Sequence, residues 1–207
     1  MAPVPLSKLL IQLGIVACIA GYACIYIVGI KRGKVKPVLA TWLFLALATI
    51  LSFITNYSES GLSGLLANSY NIIDTIASLL IFSFVFTRKH IRKTFTRFEK
   101  GCIGAVIVVF VAWLLSGQNV LAHLCLQAIL VIAYLPTLVH LWNAKENTES
   151  VTTWSLNAVA AILGVVEPIR MGAILPIVYG VRSILSCIAV VALSLRLDLK
   201  ESKFSLP

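Results

Sequence analysis

Seven apolar runs, each close to the length that crosses a bilayer, constrain this chain more than anything else in it. A membrane-spanning helix needs about 20 predominantly apolar residues at 1.5 Å of rise each. The runs fall at about 9–30, 38–56, 64–86, 102–117, 119–142, 151–169 and 173–195. Composition agrees: 59% of the 207 residues are hydrophobic and 12% are charged, against roughly 45–50% and 25% in soluble domains. Such a surplus of apolar surface cannot be buried inside a water-soluble globule of this size. A cytosolic enzyme, a disordered tail and a secreted disulfide scaffold are excluded, and an all-α, multi-pass membrane protein is expected. Cys18, Cys24, Cys102, Cys125 and Cys187 lie in or beside the apolar runs without metal-ligand spacing, and read as small hydrophobes. The first run is long enough to span and no small-residue cleavage site follows it, so no cleavable signal is expected.

The fourth run is the shortest, and Gly117-Gln118-Asn119 separates it from the fifth, a turn composition that argues for two helices. The sixth run opens on Thr152, Thr153, Ser155 and Asn157, which dilute its start. The formal net charge of +9 does not point to nucleic acid, because the cations cluster in short loops. Lys31, Arg32, Lys34 and Lys36 form one group, and Arg88, Lys89, Arg92, Lys93, Arg97 and Lys100 a second. Lys145 and the tail residues Arg196, Lys200 and Lys203 fall on the same side if all seven runs span. Fourteen cations there face Lys8 and Arg170 on the other side. The positive-inside bias then puts the N-terminus outside and the C-terminus in the cytoplasm, in a plasma membrane or a bacterial inner membrane.

Sliding the sequence by 112 residues lays the first half on the second without a gap. Tyr22 meets Tyr134, Thr41-Trp42 meets Thr153-Trp154, and Ala46, Ala48, Ile50 and Leu51 meet Ala158, Ala160, Ile162 and Leu163. The span boundaries agree under the same shift. Four segments follow: a first three-helix repeat over 1–87, a basic cytoplasmic loop and linker helix over 88–117, a second repeat over 118–200 and a cytoplasmic tail over 201–207. An odd helix between two three-helix units makes the units parallel in the membrane, an arrangement known among transporters with a site near the midplane.

Several short motifs carry a resemblance. The second repeat has Tyr134-Leu135-Pro136-Thr137, a short loop over 143–150, and Val151-Thr152-Thr153-Trp154; the first has Gly33-Lys34-Val35-Lys36-Pro37 and Thr41-Trp42. With the 3+1+3 order, these resemble the SWEET sugar transporters, the wider PQ-loop superfamily and a branch of uncharacterised bacterial membrane proteins. The resemblance implies alternating access between two three-helix units, with Pro136 as a hinge and Asn68, in Leu66-Ala67-Asn68, as a solute-contacting asparagine. Thr137 stands where that superfamily has Gln, Cys24 where the first repeat would have its proline, and Gly180 at the shifted equivalent of Asn68.

Charges at mid-bilayer are costly and mark pathways or structural pairs. Asp74 in the third run and Arg182 in the seventh sit squarely inside spans. Asn68, Asn71, Asp74, Thr75 and Ser78 follow a spacing of three and four, one polar stripe on an apolar helix. Tyr179, Arg182, Ser183 and Ser186 form the matching stripe, and the 112-residue shift carries Asn71 onto Ser183 and Asp74 onto Ser186. These residues, with Asn157 as a further cavity candidate, make up the expected substrate site. Two readings of Asp74 and Arg182 stand: a pair that pins the third helix to the seventh, or a solute site. Trp42 and Trp154 are expected in an interfacial aromatic belt, and Glu167 and Arg170 in a solvated rim. His123 is expected to be solvated at the outer interface, with Gln127 one turn away.

No catalytic constellation, phosphate-cradling glycine loop or metal motif appears, and the seventh run lacks the lysine a retinal Schiff base needs. No enzyme activity and no cofactor are expected. The expected partners are the lipid bilayer and a small solute, of sugar or amino-acid/carboxylate type, with homo-oligomerisation open. A receptor or sorting protein on the same fold, as the KDEL receptor resembles the SWEETs, and a structural membrane protein are the alternatives.

Overall fold

In hydrocarbon an unpaired backbone amide has no water to turn to, so each apolar run must satisfy its own hydrogen bonds as helix. The computed structural model describes the backbone of residues 6–67, 69–88 and 95–204, and their side chains except at 60, 62–67, 99, 102 and 201–204. It holds seven helices and, among the described residues, no strand: α1 (Leu6–Lys31), α2 (Leu39–Ala67), α3 (Ser69–Phe86), α4 (Arg97–Ser116), α5 (Asn119–Asn143), α6 (Val151–Met171) and α7 (Ile174–Phe204). Six are long and apolar enough to cross a membrane, α2 through its Leu39–Glu59 part and α7 through Ile174–Lys200. The exception is α4, whose apolar stretch is Ile103–Ser116. At 1.5 Å per residue that is about 21 Å, short of a hydrocarbon core of about 30 Å. By length, six spans are therefore supported where the apolar runs suggest seven.

Local sequence explains where the helices stop. The turn expected at Gly117-Gln118-Asn119 separates α4 from α5. In α2 the helix breaks at Gly61 (φ 61°, ψ −155°), a conformation open to glycine and strained for any other residue. Ser150 caps α6, its hydroxyl accepting from the Thr153 backbone N–H at 3.3 Å, which relieves one orphan donor of the first turn. Proline removes one intrahelical bond, yet α5 runs unbroken across Pro136. The 112-residue shift carries the end of α1 at Lys31 onto the end of α5 at Asn143, and the start of α2 at Leu39 onto the start of α6 at Val151.

The packing has a regular pattern. α3 lies against both α1 and α2, and α7 against both α5 and α6, while α1 packs on α6 and α2 on α5. α4 touches α5 and, to a lesser extent, α2. The loop before α2 and the loop before α6 share one end of the bundle: the Lys36 backbone N–H donates to the Thr148 carbonyl at 3.1 Å, and its ammonium pairs with Glu146 at 2.8 Å. Leu80, Val108, Leu121 and Leu185 are more than half exposed, whereas Thr49, Ser52, Asn71, Ser183 and Ser194 are essentially fully buried. Apolar side chains outside and hydrogen-bonding ones inside are what a lipid solvent selects.

Close approach is needed where α3 meets α6. A Cβ on Gly164 would lie 2.5 Å from Cβ of Tyr70 and 2.8 Å from its Cγ, atoms too near the backbone to swing aside. Gly164→Ala should therefore push α3 off α6 at a cost of about 1–3 kcal/mol. Thermal unfolding in detergent should show a lowered midpoint.

Candidate functional site

The two polar stripes face inward and meet. Asn71, Asp74, Thr75 and Ser78 of α3 are buried, as are Tyr179, Arg182, Ser183 and Ser186 of α7. The Asp74 carboxylate accepts one hydrogen bond from the Tyr179 hydroxyl at 2.6 Å and another from the Tyr22 hydroxyl of α1 at 3.1 Å. Arg182 lies over the ring of the same Tyr179, 4.8 Å from its centroid. The described ion pairs include none between Asp74 and Arg182. Tyr179 mediates between them, its hydroxyl serving the carboxylate and its ring face the guanidinium, a cation–π contact.

From Arg182 the network extends across the bundle. Its Nε donates to Oε1 of Gln127 on α5 at 3.2 Å, and Nε2 of Gln127 donates to the Ser52 hydroxyl of α2 at 3.2 Å. Asn71 Nδ2 donates to the same Ser52 oxygen at 3.0 Å. A second branch begins at Tyr70, whose hydroxyl donates to Asn157 Oδ1 of α6 at 3.1 Å and shares a bond with the Ser183 hydroxyl at 2.5 Å. Six helices, α1, α2, α3, α5, α6 and α7, thus send polar side chains to one buried centre. Two terminal nitrogens of Arg182 have no hydrogen-bond partner, although the side chain is only 7% exposed. Unmade bonds on a buried guanidinium are costly.

Beside this centre a groove of about 510 Å³ runs between α5 and α7, with Arg182 and Ser186 among its lining residues. A cavity of about 490 Å³ lies at the bundle end that carries the α1–α2 and α5–α6 loops, lined by Val28, Arg32, Lys34 and Glu149 among others. Glu149, just before α6, is 7% exposed. It accepts from Trp154 Nε1 at 2.9 Å and from the Tyr26 hydroxyl at 3.2 Å, and that hydroxyl accepts from Trp42 Nε1 at 3.2 Å. The indoles of Trp42 and Trp154 stack at 6.1 Å between centroids. Burial pushes the Glu149 carboxyl up to about 7, with the Trp154 and Tyr26 donors opposing the shift. The exposed Glu146 moves the other way, held below its ordinary value by Lys36.

The structure brings Asn71, Asp74, Asn157, Tyr179, Arg182 and Ser183 together in the network, and sets Ser186 in the groove. Asn68 lies outside the described residues. Pro136 sits within a continuous α5, next to Leu135 of the groove. Trp42 and Trp154 are not in an interfacial belt: at 3% and 2% exposure they are core residues whose N–H groups are satisfied inside the protein. His123 is not solvated either, being fully buried. Its Nε2 meets the Leu175 carbonyl at 3.2 Å. The same Nε2 lies 3.2 Å from Gln127 Nε2, and Nδ1 lies 3.4 Å from the hydroxyls of Ser52 and Thr55. Glu167 and Arg170 do pair at the rim, at 3.0 Å.

Contributors not singled out from the sequence as site residues include Tyr22, Tyr70, Ser52 and Glu149. Tyr70 stands four residues before Asp74, at the edge of the stripe, where a large ring reads as packing, and Ser52 is one hydroxyl in an apolar run. A carboxylate in a loop reads as solvated by default, and only its position two residues before α6 set Glu149 apart. No protein-family model matches this chain, and no curated protein matches it.

Proposed function

We propose that this chain is a transporter of a small polar solute, of sugar or amino-acid/carboxylate type, working by alternating access. On this reading α1–α3 and α5–α7 are parallel three-helix units joined by α4, in the manner of the SWEET and PQ-loop proteins. The N-terminus is outside and the C-terminus cytoplasmic, which makes α4 a crossing helix despite its short apolar stretch. Two contacts favour parallel over inverted units. Lys36 bonds Thr148, and Trp42 stacks on Trp154, each pair being 112 residues apart. Repeat-equivalent residues can meet at one end of a bundle only if an axis along the membrane normal relates the units. The reciprocal packing of α1 on α6 and α2 on α5 fits the same axis.

The observation that carries the function is the convergence of polar side chains from six helices on the Asp74–Tyr179–Arg182 centre. A bundle held together by helix packing alone has no use for a guanidinium with unmade bonds at that depth. Asn71, Asp74, Asn157, Tyr179, Arg182, Ser183 and Ser186, with Asn68, are the solute-contacting residues. In the state described most of these groups bond one another, and solute exchanges those bonds for its own. Pro136 supplies the bending point in α5. Trp42, Trp154, Tyr26 and Glu149 close the pathway at the loop end.

Flux into proteoliposomes tests this. Sugars, amino acids and small carboxylates offered singly should include at least one whose uptake saturates. Arg182→Gln should lower that uptake at least ~30-fold, the equivalent of about 2 kcal/mol for losing a buried charged partner. Tight binding with no flux for any solute would remove the transport reading and leave a receptor.

A further inference from the structure

The groove between α5 and α7 lies within the spanning segments and opens sideways. Its walls are apolar: Val131, Leu135, Val181 and Leu185 are each at least 39% exposed on the outer face of the bundle. Its one charged lining residue is Arg182, whose terminal nitrogens lack partners and are closed to water. We propose that this groove binds a single-chain amphiphilic carboxylate from the bilayer, a fatty acid, with its head group on Arg182 and its tail between α5 and α7. This goes beyond the transport reading and holds whether or not the centre moves a solute.

Depth selects the ligand. Arg182 lies eight residues into α7, about 12 Å from the start of that helix. A phospholipid head group is bulky and hydrated and stays at the interface. A carboxylate is smaller than such a head group and matches the planar guanidinium fork with two parallel bonds. Both Asp74 oxygens accept from Tyr22 and Tyr179, and the described ion pairs include none between Asp74 and Arg182, which leaves the guanidinium fork open to a second carboxylate. Tyr134 and Ser186 share the groove with Arg182, so a head group reaches the buried nitrogens by displacing the Tyr134 hydroxyl that interacts with Arg182. Toward the other end the groove continues to Ala189, about 10 Å further along α7, where only apolar side chains meet the tail.

Labelled decanoate offered to the purified chain in nanodiscs tests the assignment. Saturable binding is expected, displaced by unlabelled decanoate and not by its methyl ester, which has the same tail and no charge. Arg182→Gln should weaken binding at least tenfold. Ala189→Phe, which fills the groove and leaves the guanidinium in place, should do the same and decides the matter if Arg182→Gln does not fold. Displacement by the ester as effective as by the acid would overturn the proposal, as would absence of saturable binding. Unchanged affinity in the folded Arg182→Gln or Ala189→Phe protein would overturn it too.

Discussion

Asp74→Leu should fail to fold, whereas Asp74→Asn should fold and lose function. Leucine would leave the buried hydroxyls of Tyr22 and Tyr179 without their acceptor, at about 1–3 kcal/mol each. It would also strip the buried Arg182 of its nearest counter-charge, for several kcal/mol more. The total is comparable with the whole stability of a typical domain, about 5–15 kcal/mol. Asparagine keeps one acceptor oxygen for Tyr179, and its amide can donate to the Tyr22 oxygen, so the charge and the acceptor of one buried hydroxyl are lost where leucine removes both acceptors. Because Tyr179 stands between Asp74 and Arg182, the two charges should still be coupled. Asp74→Asn combined with Arg182→Gln should melt higher than either single variant, each of which leaves one buried charge uncompensated. Flux should be lost in all three. Full flux in the folded double variant would show that these residues hold the helices together and do not touch solute.

The second large effect concerns pH. Glu149 is protonated in the closed arrangement up to about pH 7, against an ordinary value of 4.5. Where the chain opens at that end or unfolds, Glu149 meets water and releases its proton near its ordinary value. Between those two pH values the closed form holds one proton more. Raising pH therefore removes stability across that window, by about 3 kcal/mol in total, and the loss is complete above it. The groups facing Glu149 are Trp154 on α6 and Tyr26 on α1, with Trp42 of α2 bonded to Tyr26. Arg32 and Lys34 share the adjoining cavity. Neither indole nor phenol titrates in this range. The protein should melt lower near pH 8 than near pH 5, and Glu149→Gln, neutral throughout, should lack that component. An identical pH profile in the variant would place the titrating group elsewhere.

Much of this arrangement was legible in the sequence because period and depth are linear properties of a helix. A stripe at three-and-four spacing can face only one way, so Asp74, Asn71, Arg182 and Ser183 were recognisable as inward-facing before any neighbour was known. The number of apolar runs gave the helices. Their partners were another matter. Nothing local tells Asp74 that its donors are Tyr22 and Tyr179, or Tyr70 that it meets Asn157, since those pairs depend on how α3 packs between α1, α2 and the other half of the chain. Trp42 and Trp154 show the same limit: an aromatic near a helix end suits a lipid interface equally well, and it takes their burial, their internal hydrogen bonds and their mutual stacking to mark them as core. Glu149 was hidden for the opposite reason, because a loop carboxylate appears solvated until the cluster that covers it is assembled.

Accessibility of Ser183 tests the central claim most directly. It is buried, bonded to Tyr70 and placed beside Arg182, so no single static arrangement exposes it to both aqueous phases. Ser183→Cys, in a chain freed of its native cysteines, would be treated with a membrane-impermeant thiol reagent in right-side-out and in inverted vesicles. Alternating access predicts labelling from both sides, slowed in each case by a transported solute. Labelling from neither side, in a protein that is folded and stable, would contradict the account and make the polar centre a structural core.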